Sequence, residues 1–326
     1  MAQPGQNLTP ESVHRILRAS KERGEEYFAR KHKIHVFVEL WEGLNLNIST
    51  GRNTHFNIIF NEMGMKLKED VPEGEVPFGL LRFKYYRKSR NTIRIFCNHP
   101  TNVFSNVFDF YEAVFDIKLE KLTIYPGYIR NYVVFLSRFV ALKLYPLPIL
   151  RVLGTVEDPQ KFKLVLDSFN STKRAEIELE VPLGFSYDFD FTGGVYIWNH
   201  GQWLTLDNLL NKRCQHLVVI DTSFGNRDIV DYLNRWAPRA LEGGYEIVTL
   251  ELREPVDMGE IINGIQGCRL IAQGNHFSTE KRHILFTDGR LVLFDVAHDA
   301  PRKLNMLLYP QIPDHYEREH GHMLLL

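Results

Sequence analysis

The sequence predicts an α/β protein: an irregular array of strand–helix units of the leucine-rich-repeat kind, preceded by a short N-terminal helix. Three observations predict it. First, the run Leu217-Val218-Val219-Ile220 is unbroken apolar sequence, as a strand buried on both faces requires. Second, amphipathic helix patterns flank that run: Leu206, Leu209 and Leu210 behind Thr205, then Ile229, Val230, Leu233 and Trp236 behind Gly225 and Asn226. Third, strand-then-helix order recurs at 121–139, 216–236 and 246–265. The recurrence has no strict period, so a compact α/β sandwich stands beside the array as the alternative packing of the same elements.

The elements follow in chain order. Residues 8–31 alternate charged positions with Val13, Ile16, Leu17, Tyr27 and Phe28, a helix pattern with Thr9 as cap and Pro10 in the first turn. Ile34–Leu40 switches to apolar–polar alternation and predicts a strand, as does Phe56–Phe60. Residues 64–77, charged and broken by Pro72, Gly74 and Pro77, predict a loop. Strands are predicted at Gly79–Tyr86 and Thr92–Cys97, and a helix over 103–116 from Val107, Phe110, Tyr111, Val114 and Phe115. A strand follows from Leu119, then a helix around 130–140. Beyond the proline-containing stretch 146–159, Phe162–Phe169 and Ala175–Val181 predict two strands, joined as a hairpin through 170–173. Past the helix–strand–helix centre, Glu246–Leu252 predicts a strand and Ile261, Ile262 and Ile265 a helix. Asp288-Gly289 between the apolar runs 283–286 and 291–294 predicts a tight hairpin, because glycine takes positive φ without steric cost.

Composition bounds the function. With 326 residues, 44% apolar and 12% aromatic, the chain can fill a large core and suits two domains or one extended array. A net charge of −1 argues against bulk attraction to nucleic acid or anionic lipid. Three scattered cysteines make no disulfide framework, which points to a reducing compartment, the cytoplasm or nucleus. No signal-peptide core begins the chain, and no run approaches the roughly 18 apolar residues of a bilayer span.

No phosphate-cradling glycine motif is present, so no nucleotide cofactor is expected. His315, His320 and His322 read as a solvated tail rather than metal ligands, for want of fixed geometry. Asp188 and Asp190 fall on one face of a strand but have no partner to separate their pKa values; they read as a polar edge face. Cys214 and His216 lead straight into the buried run, so Cys214 reads as a core thiol, not a nucleophile. Residues 82–94 hold six Arg or Lys and no acid, with Tyr85 and Tyr86 between them. That pattern suits single-stranded RNA; the competing reading, favoured by the neutral whole-chain balance, is an edge strand guarded by positive charge. The residue pattern therefore predicts no enzyme: no catalytic residue, metal or cofactor site.

Trp203-Leu204-Thr205-Leu206-Asp207-Asn208-Leu209-Leu210, the buried strand, and the helix ending Leu233-Asn234-Arg235-Trp236 together resemble the type 2 F-box-associated domain, a family expanded in nematodes. The likeness continues through 245–265 and the 287–290 turn, and upstream through 108–125. It is diffuse from about residue 33 to 297 and most specific over 190–265. The resemblance implies a non-enzymatic substrate-recognition module of a Skp1–cullin–F-box ubiquitin ligase, with a protein substrate and a Skp1-type adaptor as partners. It implies a layout of an F-box remnant or lone helix at 1–33, an α/β region at 34–160, the associated domain at 161–300 and a flexible tail at 301–326. Pro10, Glu11, Val13, Ile16 and Leu17 are similar to the first F-box helix, but a strand pattern begins by residue 34, so the F-box is truncated or degenerate. Val13, Ile16 and Leu17 are the adaptor-contact candidates. Tyr187, Phe189, Phe191 and Tyr196 are the candidates for the partner surface.

Overall fold

The computed structural model describes residues 33–40, 43–49, 55–66, 71–78, 81–89, 91–126, 147–156, 158–169, 172–182, 184–188, 191, 193–237, 244–276 and 279–314. The predicted N-terminal helix with Val13, Ile16 and Leu17, the helix around 130–140 and the tail from His315 lie outside them. The described residues form sixteen strands and five helices in an α/β arrangement. They divide into two compact units, Met1–Leu153 and Gly154–Leu326, a few residues before the predicted boundary at 160.

In unit 1 the strands are β1 (Lys33–Leu40), β2 (Leu44–Ser49), β3 (His55–Glu62), β4 (Gly74–Phe78), β5 (Leu81–Ser89), β6 (Thr92–Cys97), β7 (Asp116–Ile124) and β8 (Ile149–Thr155), with helix α1 (Pro100–Val114) between β6 and β7. Their lateral order is β8-β7-β1-β2-β3-β6-β5-β4. Alternation decides the faces. Ile34, Val36, Val38 and Leu40 of β1, Leu44, Leu46 and Ile48 of β2, and Phe56, Ile58 and Phe60 of β3 are all buried. α1 lays Phe104, Val107, Phe108 and Tyr111 into the same core, with the Phe60 and Phe104 rings edge to face at 5.8 Å.

Two expectations fail here. The predicted loop 64–77 contains β4 and a 3₁₀ turn at Met63–Met65; β4 tolerates Pro77 because it ends the strand order, where a missing ladder N–H costs nothing. The proline-containing stretch 146–159, for which no element was predicted, contains β8. The basic stretch 82–94 is not an edge strand, since β5 pairs with β4 on one side and β6 on the other.

Unit 2 comprises α2 (Pro159–Ser168), β9 (Arg174–Glu180), β10 (Gly194–Ile197), α3 (Leu206–Asn211), β11 (His216–Val219), α4 (Asn226–Arg235), β12 (Glu246–Glu251), α5 (Met258–Gly264), β13 (Cys268–His276), β14 (Thr279–Phe286), β15 (Leu291–Ala297) and β16 (Lys303–Tyr309). β9, β10, β11 and β12 are parallel neighbours in chain order; β16, β15, β14 and β13 continue the sheet antiparallel. The predicted helix–strand–helix centre is present: Leu217 and Val219 are fully buried in β11, between α3 and α4. Thr205 caps α3 in a reciprocal box: the Asn208 N–H donates to Thr205 Oγ1 at 3.2 Å and the Thr205 N–H donates to Asn208 Oδ1 at 3.1 Å. Gly225 precedes α4 at a point where a Cβ would lie 2.4 Å from Glu254 Oε1, so a side chain there would displace the Glu254 carboxylate. The Asp288-Gly289 turn joins β14 and β15 with Leu285 opposite Leu291, and Gly289 has φ +89°.

Two predicted features are corrected. Phe162–Phe169 is not a strand but lies mainly in α2, and no hairpin links it to β9, whose neighbour β10 runs parallel. Asp158 Oδ1 accepts from the Gln160 N–H at 3.1 Å at the helix start, and Phe162, Val165, Leu166 and Phe169 are buried at helical spacing. The predicted tail from 301 contains β16, seated between β12 and β15 because Leu304, Met306 and Leu308 alternate into the core.

Candidate functional site

The parallel strands β9–β12 sort their side chains by parity. Ala175, Ile177, Val195, Ile197, Leu217, Val219, Val248 and Leu250 share the buried face. The opposite face carries Arg174, Glu176, Glu178, Tyr196, His216, Val218, Ile247, Thr249 and Glu251. Its centre is Tyr196. The Arg174 guanidinium lies 4.3 Å over the Tyr196 ring, and Trp198 stacks beside it with centroids 6.2 Å apart and planes 18° from parallel. His216 meets the same ring edge to face at 5.1 Å, and a 3.0 Å hydrogen bond joins Tyr196 Oη to His216 Nδ1. Arg174 Nε also donates to Glu176 Oε1 at 2.9 Å. Trp198, just past the end of β10, remains 38% exposed.

The carboxyl ends of these strands hold strained backbone. Asn199, His200 and Asp221 have φ of 60°, 52° and 61°, and they are the non-glycine residues with positive φ among those described. All three follow β10 or β11, which are adjacent strands. Their neighbours hold them. Asn199 Nδ2 donates to Glu178 Oε1 at 3.1 Å, Gln202 Nε2 donates to Asp221 Oδ2, and the Asp221 N–H donates to Glu251 Oε2 at 3.3 Å. Strain of this kind gathers where a protein positions groups for binding, and parallel sheets place their sites at this edge. Past the end of β12, a cavity of about 530 Å³ opens among Asn226, Glu254, Asp257, Glu260 and Glu280.

Burial, and secondarily the Arg174 charge, lowers the His216 pKa. The imidazole is therefore neutral near pH 7. A pKa lower in the folded than in the unfolded chain means the unfolded chain takes up the proton first, so stability is lost as pH falls. Between pH 7 and pH 5, the His216→Gln protein is expected to lose less stability than the parent, measured by urea unfolding at each pH. Equal losses would show that His216 does not feel this environment.

The sequence-derived candidates separate. Tyr196 is on the open face. Tyr187 and Phe191 are not surface residues: Tyr187 is 5% exposed, with its Oη donating to Asp167 Oδ1 at 2.8 Å, and Phe191 is fully buried. Both are large apolar bodies in an irregular segment, and burying them in the core is what fixes that segment. Phe189 and Asp190 lie outside the described residues. Asp188 Oδ1 accepts from Asn208 Nδ2 at 3.1 Å, which ties it to the start of α3. Cys214 is buried, and the hydrogen-bond partner of His216 Nδ1 is a phenol rather than a thiol. None of the three cysteines is in a disulfide. Among the described residues no group of His, Cys, Asp or Glu is gathered to hold a metal. Sequence reasoning missed Trp198, Arg174, Asn199, His200 and Asp221. The alternation Val195-Tyr196-Ile197-Trp198 places the two rings on one face and was the available signal for Trp198.

No family model matches the chain, and no curated protein matches it. Among solved structures the chain is similar to Zn(II)-bound YjiA GTPase from E. coli, at 12% identity over 81% of this chain and 89% of that chain, with a TM-score of 0.20. That score is too low to transfer fold or activity.

Proposed function

We propose that the chain is a non-enzymatic protein-binding module, serving substrate recognition in, or derived from, a Skp1–cullin–F-box ubiquitin ligase. The observation that carries the reading is the Arg174–Tyr196–Trp198 stack on the open face of the parallel strands. Its titratable groups engage one another, Tyr196 Oη with His216 and Arg174 with Glu176. Aromatic residues and arginine in such a setting are the anchors that partner proteins use. The resemblance of 190–265 to the type 2 F-box-associated domain supports the same reading, as does the strand–helix succession from β9 to α5. We take that succession as an irregular leucine-rich-repeat-like array, which offers one face of its repeated strands to a protein substrate. The N-terminal segment with Val13, Ile16 and Leu17 is the adaptor contact in this scheme. The compartment is cytoplasmic or nuclear; among the described residues no helix is long and apolar enough to cross a membrane.

Purified Skp1-type protein offered to three immobilised proteins tests the scheme. The full chain and its Trp198→Ala variant are expected to retain the adaptor, and a chain beginning at Lys33 is expected not to. No retention by the full chain removes the ligase role. Loss in Trp198→Ala would put the adaptor on the face assigned to the substrate.

A further inference from the structure

In unit 2, β13 ends the lateral strand order, and among the described residues no strand lies on its outer side. Two backbone bonds fix which of its groups face inward. The Phe286 N–H donates to Arg290 O at 2.8 Å, so Phe286 faces β15. The Thr287 N–H donates to Gly267 O at 2.8 Å, so the odd-numbered residues of β14 face β13. Those residues, Leu285, His283, Lys281 and Thr279, are opposite Arg269, Ala272, Gly274 and His276. Cys268, Leu270, Gln273 and Asn275 therefore turn their backbone N–H and C=O groups outward. The register shift between Leu270 and Ala272 does not break this row. Leu270 is opposite Ile284 and Gln273 is opposite Arg282, two residues further along β14, so the outward groups keep steps of about 7 Å across the bulge.

This edge carries few of the devices that keep sheet edges from pairing. It runs nine residues without proline, and Leu270 is 43% exposed upon it. Arg269 is its one residue charged at neutral pH. The edge strand of unit 1, β4, is built differently: it is five residues long and includes Glu75 and Pro77.

We propose that this edge pairs with the same edge of a second copy of the chain, antiparallel about a two-fold axis between Ile271 and Ala272. A row of backbone donors and acceptors selects an extended polypeptide. The placing of the outward residues selects a second copy. Their numbering is symmetric about the axis, so Cys268 meets Asn275 of the second copy and Leu270 meets Gln273, and all four match at once. Each matched pair exchanges two backbone bonds, about eight across the interface. Ile271 and Ala272 fall opposite Ala272 and Ile271 of the second copy. The extra residue of one strand is thus met by that of the other, whereas a regular strand faces the two with one, as β14 does. Arg269 falls opposite Gly274 of the second copy, so the two arginines do not confront each other.

Sedimentation equilibrium of the full chain, from low micromolar to several hundred micromolar, tests the proposal. The chain is expected to form a reversible dimer. Leu270→Pro removes an outward N–H and leaves the ladder to β14 whole, since an edge accommodates proline where the N–H faces away from the neighbouring strand. It is expected to weaken dimerisation at least about tenfold, because each copy loses a bond and leaves an acceptor unmatched. Circular dichroism checks that the variant is folded. Leu270→Lys, which sets a charge on the edge, serves if it is not. Hydrogen exchange reads the register. Raising the concentration is expected to protect the amides of Cys268, Leu270, Gln273 and Asn275, while those of Arg269 and Gly274, already turned to β14, change little. A chain that is monomeric at every concentration overturns the proposal and leaves the edge to an extended segment of another protein. A dimer that the folded variants leave intact, or one that brings no protection to those four amides, overturns it as well.

Discussion

Lys212→Met is expected to destabilise unit 2 by about 3–5 kcal/mol. Lys212 closes α3 and is 2% exposed; its Nζ donates to Glu246 Oε2 at the start of β12, whose side chain is 4% exposed. The other carboxylate oxygen, Oε1, accepts from Trp236 Nε1 at 3.3 Å. One buried acid thus joins the end of α3, the end of α4 and β12. Removing the lysine leaves a carboxylate without its counter-charge in a medium that solvates it poorly. Removing both charges is a different matter. Lys212→Met with Glu246→Leu leaves no buried ion, and a well-packed apolar pair often matches an ion pair. The double variant is expected to recover most of the loss. Urea unfolding followed by tryptophan fluorescence reads the effect, since three of the four tryptophans, Trp198, Trp203 and Trp236, belong to unit 2. A single variant that loses less than about 1 kcal/mol would show that the pair is hydrated in solution, as exposed ion pairs are.

Phe162→Ala is expected to cost about 3–5 kcal/mol, while Leu164→Ala costs less than about 0.5 kcal/mol. The contrast separates two readings of one segment. On a strand, residues 162 and 164 share a face and both substitutions would be felt alike. On α2, Phe162 is fully buried and Leu164 is 54% exposed, because residues two apart lie on opposite sides of a helix. The same urea experiment measures both. Comparable losses at the two positions would return 162–169 to an extended conformation.

That segment shows why local pattern misled. Phe162-Lys163-Leu164-Val165-Leu166 alternates once and is rich in residues that strands favour, so a short window reads as β. The helical set Phe162, Val165, Leu166 and Phe169 is present in the same letters, with Asp158 as cap, but it needs a longer window to emerge. β2 was legible and overlooked: Leu44-Asn45-Leu46-Asn47-Ile48-Ser49 alternates cleanly, though asparagine is a poor strand former. β16 was likewise legible and overlooked: Leu304, Met306 and Leu308 alternate in a segment read as a tail. In the candidate site, Tyr196 was accessible to sequence reasoning through its ring, while Tyr187 and Phe191 had the same claim and proved to be core. An aromatic residue is equally suited to a core and an interface, so residue type alone does not choose between them.

What the sequence determined by itself is local: the cap at Thr205, the Asp288-Gly289 turn, the buried Leu217–Val219 strand and the amphipathic helices beside it. These follow from hydrogen-bonding side chains, allowed dihedrals and apolar periodicity within a few residues. Tertiary structure decided which strands became neighbours, and with that which side chains met. Arg174 reaches Tyr196, Asp221 meets Glu251 and Lys212 finds Glu246 only because parallel pairing brings residues twenty to thirty or more positions apart into register. Contacts of that range are set by which packing buries the most apolar surface with its polar groups matched, a property of the whole chain.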